Sequence, residues 1–206
     1  MTTQPPTEGY TITAEGTGLP ATMLAVPSLD WRVTSYSGHS AHDGICYRAT
    51  LAYQGKPVGT IENGGDGGST TVWIGGFAGG NAGLRDTWVR FCAAVPLATI
   101  DTLFGTLTVD PFPGETPASR AAVHEECVAE LLVEEYQTRK RFDGLLKRGS
   151  TVYLKPGESL FPGGAFRIVR APLAACTDFL HKQGDGTHIW TARGWVIGAD
   201  LLAGRQ

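Results

Sequence analysis

The chain has 206 residues, 42% of them hydrophobic and 18% charged, with a formal net charge of −3. That length suits one domain whose core needs no disulfide or metal staple, and the slight negative charge supplies no field that would gather nucleic acid or anionic lipid. No apolar run approaches the ~20 residues of a spanning helix, so no membrane partner is expected.

Residues 1–18 lack the basic and apolar regions of a secretory signal and read as a disordered or extended lead-in, which makes a cytoplasmic location the expectation. Residues 19–206 read as a single α+β domain, with a sub-boundary near Gly149–Ser150. Leu19–Val26 suggests a short strand. His39, His42 and Asp43 then fall within five residues of one loop, a compact set of imidazoles and a carboxylate that could serve catalysis or hold a metal. Solvated loop side chains are the favoured reading for them. Cys46, Cys92, Cys127 and Cys176 are widely spaced without a Cys-x-x-Cys pair and are expected as free thiols. Cys46, on the polar side of its predicted strand, is the least inert of them as a catalytic candidate.

From Ile45 to Tyr53, Ile45, Tyr47, Ala49, Leu51 and Tyr53 alternate with Cys46, Arg48, Thr50 and Ala52, the period of a half-buried strand. Gln54-Gly55 fits a tight turn, and Val58–Glu62 is the return strand of a hairpin over 45–62. Pro57 cannot donate to a ladder, which predicts that this strand begins at an edge. A glycine tract follows, with 11 glycines among the 29 residues from Gly55 to Gly83. It contains one short predicted strand, Thr70–Ile74, and lacks the Lys that a phosphate loop requires after its last glycine. Asn63 and Asp66 supply too few oxygens for calcium, so Asp66 is a weak metal candidate beside His39 and His42. Asn and Asp beside Gly read better as turn residues.

Apolar positions Leu84, Trp88, Phe91, Cys92 and Val95 predict a short helix over 84–95, and residues 101–110 resemble a strand. The long helix is predicted over 117–148, with Thr116 as cap, Pro117 at its first position and Gly149 as its stop. Gly144 is placed to end or kink it. Its apolar side reads Val128, Leu131, Leu132, Tyr136, Phe142, Leu145 and Leu146. Glutamates 125, 126, 130, 134 and 135 precede Arg139, Lys140, Arg141, Lys147 and Arg148, a polarity that complements the helix dipole. That basic run is the best nucleic-acid patch in the chain, and the favoured reading is still a solvated helix end. His124 opens a "VHEECV" stretch that lacks the second His of a zinc-protease helix, since position 128 is Val, and is expected on the helix surface. Strands return after residue 150, and His181 and His188 flank a turn that could bring them together. Strands, helices, then strands without regular alternation imply an antiparallel α+β fold.

Tyr47–Gly68, with its Ala-x-Leu strand, Gly-Lys turn and Asn-x-Gly-x-Gly-Gly loop, resembles small uncharacterised proteins of bacteria and mobile elements over about a tenth of the chain. The resemblance implies an accessory or phage- or plasmid-borne protein acting by binding, and it transfers no catalytic residue. The expected function is therefore a non-enzymatic one, with another protein as partner, no cofactor, and Asn63, Asp66, Trp73 and Phe77 as contact residues. Two alternatives stand beside it: a metal-assisted enzyme built on the His/Asp loop, and a structural or assembly subunit of a phage-like particle. The sequence sets no oligomeric state.

Overall fold

The computed structural model describes residues 30–75, 82–95, 116–158, 166–192 and 194–198. The expected strands at 19–26 and 101–110, and Phe77, lie outside these residues. The described residues form an α+β fold of two antiparallel four-stranded sheets with three helices. They fall into two compact units, one ending at Gln137 and the other beginning at Thr138.

In the first unit, β1 (Trp31–Ser40), β2 (Ile45–Tyr53), β3 (Lys56–Asn63) and β4 (Thr71–Ile74) pair in chain order. The β2–β3 hairpin is the one its sequence predicts. Gln54 and Gly55 have φ of 48° and 78°, the pair of positive angles that lets a two-residue turn match the strand twist. Pro57 sits at the start of β3 beside a register shift, before the first residue that β4 pairs. β3 is nevertheless an interior strand. β1, to which the sequence reading assigns no strand, follows β2 antiparallel along its whole length, with a bulge between Val33 and Ser35. Its Ser- and Gly-rich second half carries no apolar alternation, so pairing with β2 is what makes it a strand.

One face of this sheet is apolar where Trp31, Val33, Ala49, Leu51 and Ile61 are buried. The other face is solvated. There Arg48 Nε donates to Glu62 Oε1 at 2.6 Å, and the hydroxyls of Ser35 and Thr50 meet at 2.6 Å. Helix α1 (Ala82–Ala94) buries Trp88, Phe91 and Cys92, the stripe its spacing predicts. Trp31 meets Trp88 edge-on at 5.0 Å between ring centroids.

Helix α2 (Pro117–Lys147) starts as its sequence indicates. Thr116 Oγ1 accepts from the Ser119 backbone N–H at 3.1 Å, while Ser119 Oγ accepts from the Thr116 N–H at 2.9 Å, a reciprocal cap. The helix runs through Gly144 and stops at Gly149, whose φ of 72° ends it. The Ser150 N–H then bonds back to the Leu145 carbonyl at 3.0 Å. Between residues 127 and 133 burial is wider than an amphipathic stripe, taking in Cys127, Ala129 and Val133 as well as Val128, Leu131 and Leu132.

The second unit holds β5 (Thr151–Leu154), β6 (Arg167–Val169), α3 (Leu173–His181), β7 (His188–Thr191) and β8 (Gly194–Ile197), with strand order β6-β5-β7-β8. Both faces of this sheet are covered. On one, Phe142 of α2 packs with Val152, Leu154, Trp190 and Trp195; on the other, Tyr153 and Ile189 pack with Cys176 and Leu180 of α3. The sequence reading assigns no helix at α3. It is only 9 residues long, and Pro172 at its N-cap makes no side-chain cap. No helix among the described residues is long and apolar enough to cross a membrane.

Candidate functional site

The glycine tract is held in place by a polar knot centred on Thr70, a buried residue just before β4. Thr70 Oγ1 donates to Glu130 Oε1 at 2.7 Å. With that proton committed, Asn63 Nδ2 donates to Thr70 Oγ1 at 3.0 Å, and Tyr47, 3.2 Å away, is left as the other donor. One donor and two accepted bonds exhaust a hydroxyl. The Thr70 backbone N–H is also taken, by Glu126 Oε1 at 2.6 Å. Glu126 and Glu130 are one turn apart on α2, so consecutive helical positions grip one residue of the loop.

Burial sets the acid–base character of this knot. It pushes the Tyr47 phenol up to about 12, with Glu130 nearby adding to the effect and the Thr70 hydrogen bond opposing it. Cys127 rises to about 11, first through burial and then through Glu130 and Glu126. Glu134 is raised by desolvation and by Glu130 one turn away. Cys92 rises for the same first reason, with Glu125 adding to it. These thiols stay protonated at neutral pH and are poor nucleophiles.

A second clamp lies one residue earlier on α2. Glu125 accepts from both terminal nitrogens of Arg85, one bond being 2.7 Å, and from Trp88 Nε1 at 2.7 Å, tying α1 to α2. The N-terminal glutamates of α2 thus do more than balance a dipole: Glu125, Glu126 and Glu130 each accept a specific bond.

In the described part of the glycine tract, backbone geometry demands glycine at two close approaches. A Cβ on Gly65 would stand 2.6 Å from the Cys46 backbone nitrogen and 2.7 Å from Ala41 Cβ, and Gly65 has a φ of 70°. The loop therefore packs backbone-close against the β1–β2 connection, where only glycine fits. A Cβ on Gly59 would lie 2.0 Å from the Trp73 carbonyl oxygen, so β3 also needs glycine beside β4. Asn63 Oδ1 accepts from the Gly65 N–H at 2.8 Å, and Asp66 Oδ1 from the Gly68 N–H at 3.0 Å, both local turn bonds.

Among the described residues the expected site residues do not form one cluster, though His39 and Cys46 come side by side. His39 is exposed and stands across from Cys46 in the β1–β2 ladder, so the two share the solvated face. His42 and Asp43 bond each other at 2.6 Å on the surface. Asn63 and Asp66 are engaged within the loop, and Trp73, 50% exposed, lies on the solvated face of the edge strand β4. No group of three or more His, Cys, Asp or Glu among the described residues could hold a metal ion.

His124 is half-buried, with Nε2 enclosed, rather than a surface histidine. Burial lowers its basicity, and a hydrogen bond to the Val95 backbone partly offsets this. His181 ends α3 in an exposed position, while His188 is buried on β7; no hairpin joins them. In the basic run, Arg141 lies 4.8 Å over the Phe166 ring. Further along, Arg167 pairs with Glu158, whose carboxyl is held below its usual range by that bond.

Thr70, Glu126 and Glu130 are the residues that sequence reasoning missed. The one local signal was the i, i+4 spacing of the two glutamates beside the buried residues Cys127 and Val133. No protein-family model, curated protein or solved structure matches this chain.

Proposed function

We propose that this is a non-enzymatic binding or accessory protein that engages a protein partner along β1, the strand that among the described residues forms an edge of its first sheet. One observation carries the reading. From Ser35 to Ser40 the edge strand β1 has no Lys, Arg, Asp, Glu or Pro, and every residue but Tyr36 is exposed. Edge strands are ordinarily blunted by such residues because their unpaired N–H and C=O groups template another strand. An extended segment of a partner can add there through main-chain bonds, with alternate side chains supplying selectivity. Ile45, 56% exposed and opposite Ser40 in the ladder, offers an apolar neighbour for it.

The polar knot supports the same reading. Thr70 is 6% exposed and its hydroxyl is fully bonded, so it braces the loop and is not free to attack a substrate. A cytoplasmic location and, from the resemblance of residues 47–68, association with a mobile element describe where the partner would be sought.

The test is affinity capture from the native host, with full-length wild type and Ser37→Lys as parallel baits of equal melting temperature. The expected result is one stoichiometric partner on wild type and about tenfold less on the variant, a loss near 1.4 kcal/mol. No partner on wild type, or equal recovery on both baits, would overturn the reading. Particle-sized oligomers of the protein alone in light scattering would favour an assembly subunit instead.

A further inference from the structure

His188 is 6% exposed, and neither of its ring nitrogens has a hydrogen-bond partner. Its side of the sheet is apolar: Leu154 is opposite on β5, Ile197 is opposite on β8, and Trp190 and Trp195 follow on the same face. Trp195 Nε1 is also buried without a partner, and as a donor it cannot accept a proton from an imidazolium.

Among the described residues, the charged groups that face this cluster are already engaged. Asp143, on the α2 segment packed here, accepts from Trp190 Nε1 at 3.0 Å. Arg141, on the same segment, lies over the Phe166 ring. Tyr153 and the α3 residues Asp178 and His181 belong to the opposite side of the sheet, and β8 carries no ionisable side chain. Burial lowers the basicity of His188, and no neighbouring charge among the described residues contributes.

An imidazolium enclosed without an acceptor is costly, so the closed sheet holds the neutral ring and an opened sheet releases it to water. We propose that the second unit is acid-responsive: uptake of one proton from solvent by His188 opens the β5–β7–β8 sheet, and return to neutral pH closes it. The sign follows from linkage. The closed form binds the proton more weakly than the open form, so its stability is complete above the free imidazole value of about 6.5 and falls as pH drops below it. Each pH unit below that value reduces the closed-to-open ratio by up to about tenfold, until the lowered value of the closed form is reached.

Native-state hydrogen exchange read by mass spectrometry on the full chain, corrected for the intrinsic pH dependence of exchange, tests this between about pH 7 and about pH 5.5. Peptides spanning β5, β7 and β8 in wild type should lose protection by up to about tenfold per pH unit below about 6.5. In His188→Phe the same peptides should show pH-independent protection. His188→Gln, smaller and uncharged, serves the same comparison should the phenyl ring not be accommodated. Flat wild-type protection across the range would overturn the proposal, as would an unchanged loss in a folded variant.

Discussion

The two sheets of this protein solve the same problem by different means. The second is covered on both faces: Phe142 sits 5.4 Å from the Trp190 ring and 5.7 Å from the Trp195 ring on one side, and Leu180 and Cys176 close the other. The first has one solvated face and, among the described residues, β1 and β4 as its edge strands, and its least regular segment is pinned by hydrogen bonds to Thr70 instead of by apolar mass. Burial is non-directional and tolerates approximate shape, whereas a polar knot works only if every member is satisfied. The first unit is thus the one in which a single atom can matter, and the second the one in which lost volume matters most.

The largest effect expected from this contrast is at Phe142. Phe142→Ala removes a fully buried ring that touches Phe166, Trp190 and Trp195, and should cost about 3–5 kcal/mol. Hydrogen exchange should then show loss of protection in β5, β7 and β8; protection there equal to wild type would mean that the aromatic cluster is not the core of that unit. Gly65→Val comes next, on the order of 3 kcal/mol, because it combines overpacking against Cys46 and Ala41 with a strained positive φ. Its urea midpoint should fall with an unchanged slope, and a midpoint equal to wild type would show that the loop does not need its glycine. The smallest of the three is Thr70→Val, which keeps the shape and the backbone bond to Glu126 but strands Glu130, Asn63 and Tyr47, costing about 1–3 kcal/mol. A Tyr47 phenol that titrates still further above its free value in that variant would show that the Thr70 bond opposing its burial had been lost, and a variant as stable as wild type would reduce the knot to a surface detail.

These contrasts also mark what could be read ahead of the structure. The β2–β3 hairpin and α2 were legible because each carries its own punctuation, Gln54-Gly55 for the turn, Thr116-Pro117 for the helix start and Gly149 for the stop, and α1 because of its apolar spacing. β1 and α3 were not, the first lacking alternation and the second lacking a cap and length. Asn63 and Asp66 were legible as turn residues, and their side chains do bond the backbone of the loop that contains them. The glycine surplus was visible and unexplained; for Gly65 and Gly59 the cause is the approach of Cys46 and of the Trp73 carbonyl, contacts between segments.

The sequence by itself determined the α+β class, the hairpin, the two longer helices and the turn chemistry of the glycine loop, since periodicity, capping and positive φ are properties of neighbouring residues. Only the tertiary structure decided that Thr70 would be held by Glu126 and Glu130, 56 and 60 residues away, and that His188 would be enclosed without a partner while His181 stayed in water. Such pairings depend on which surfaces the folded chain brings together, and no local pattern encodes them.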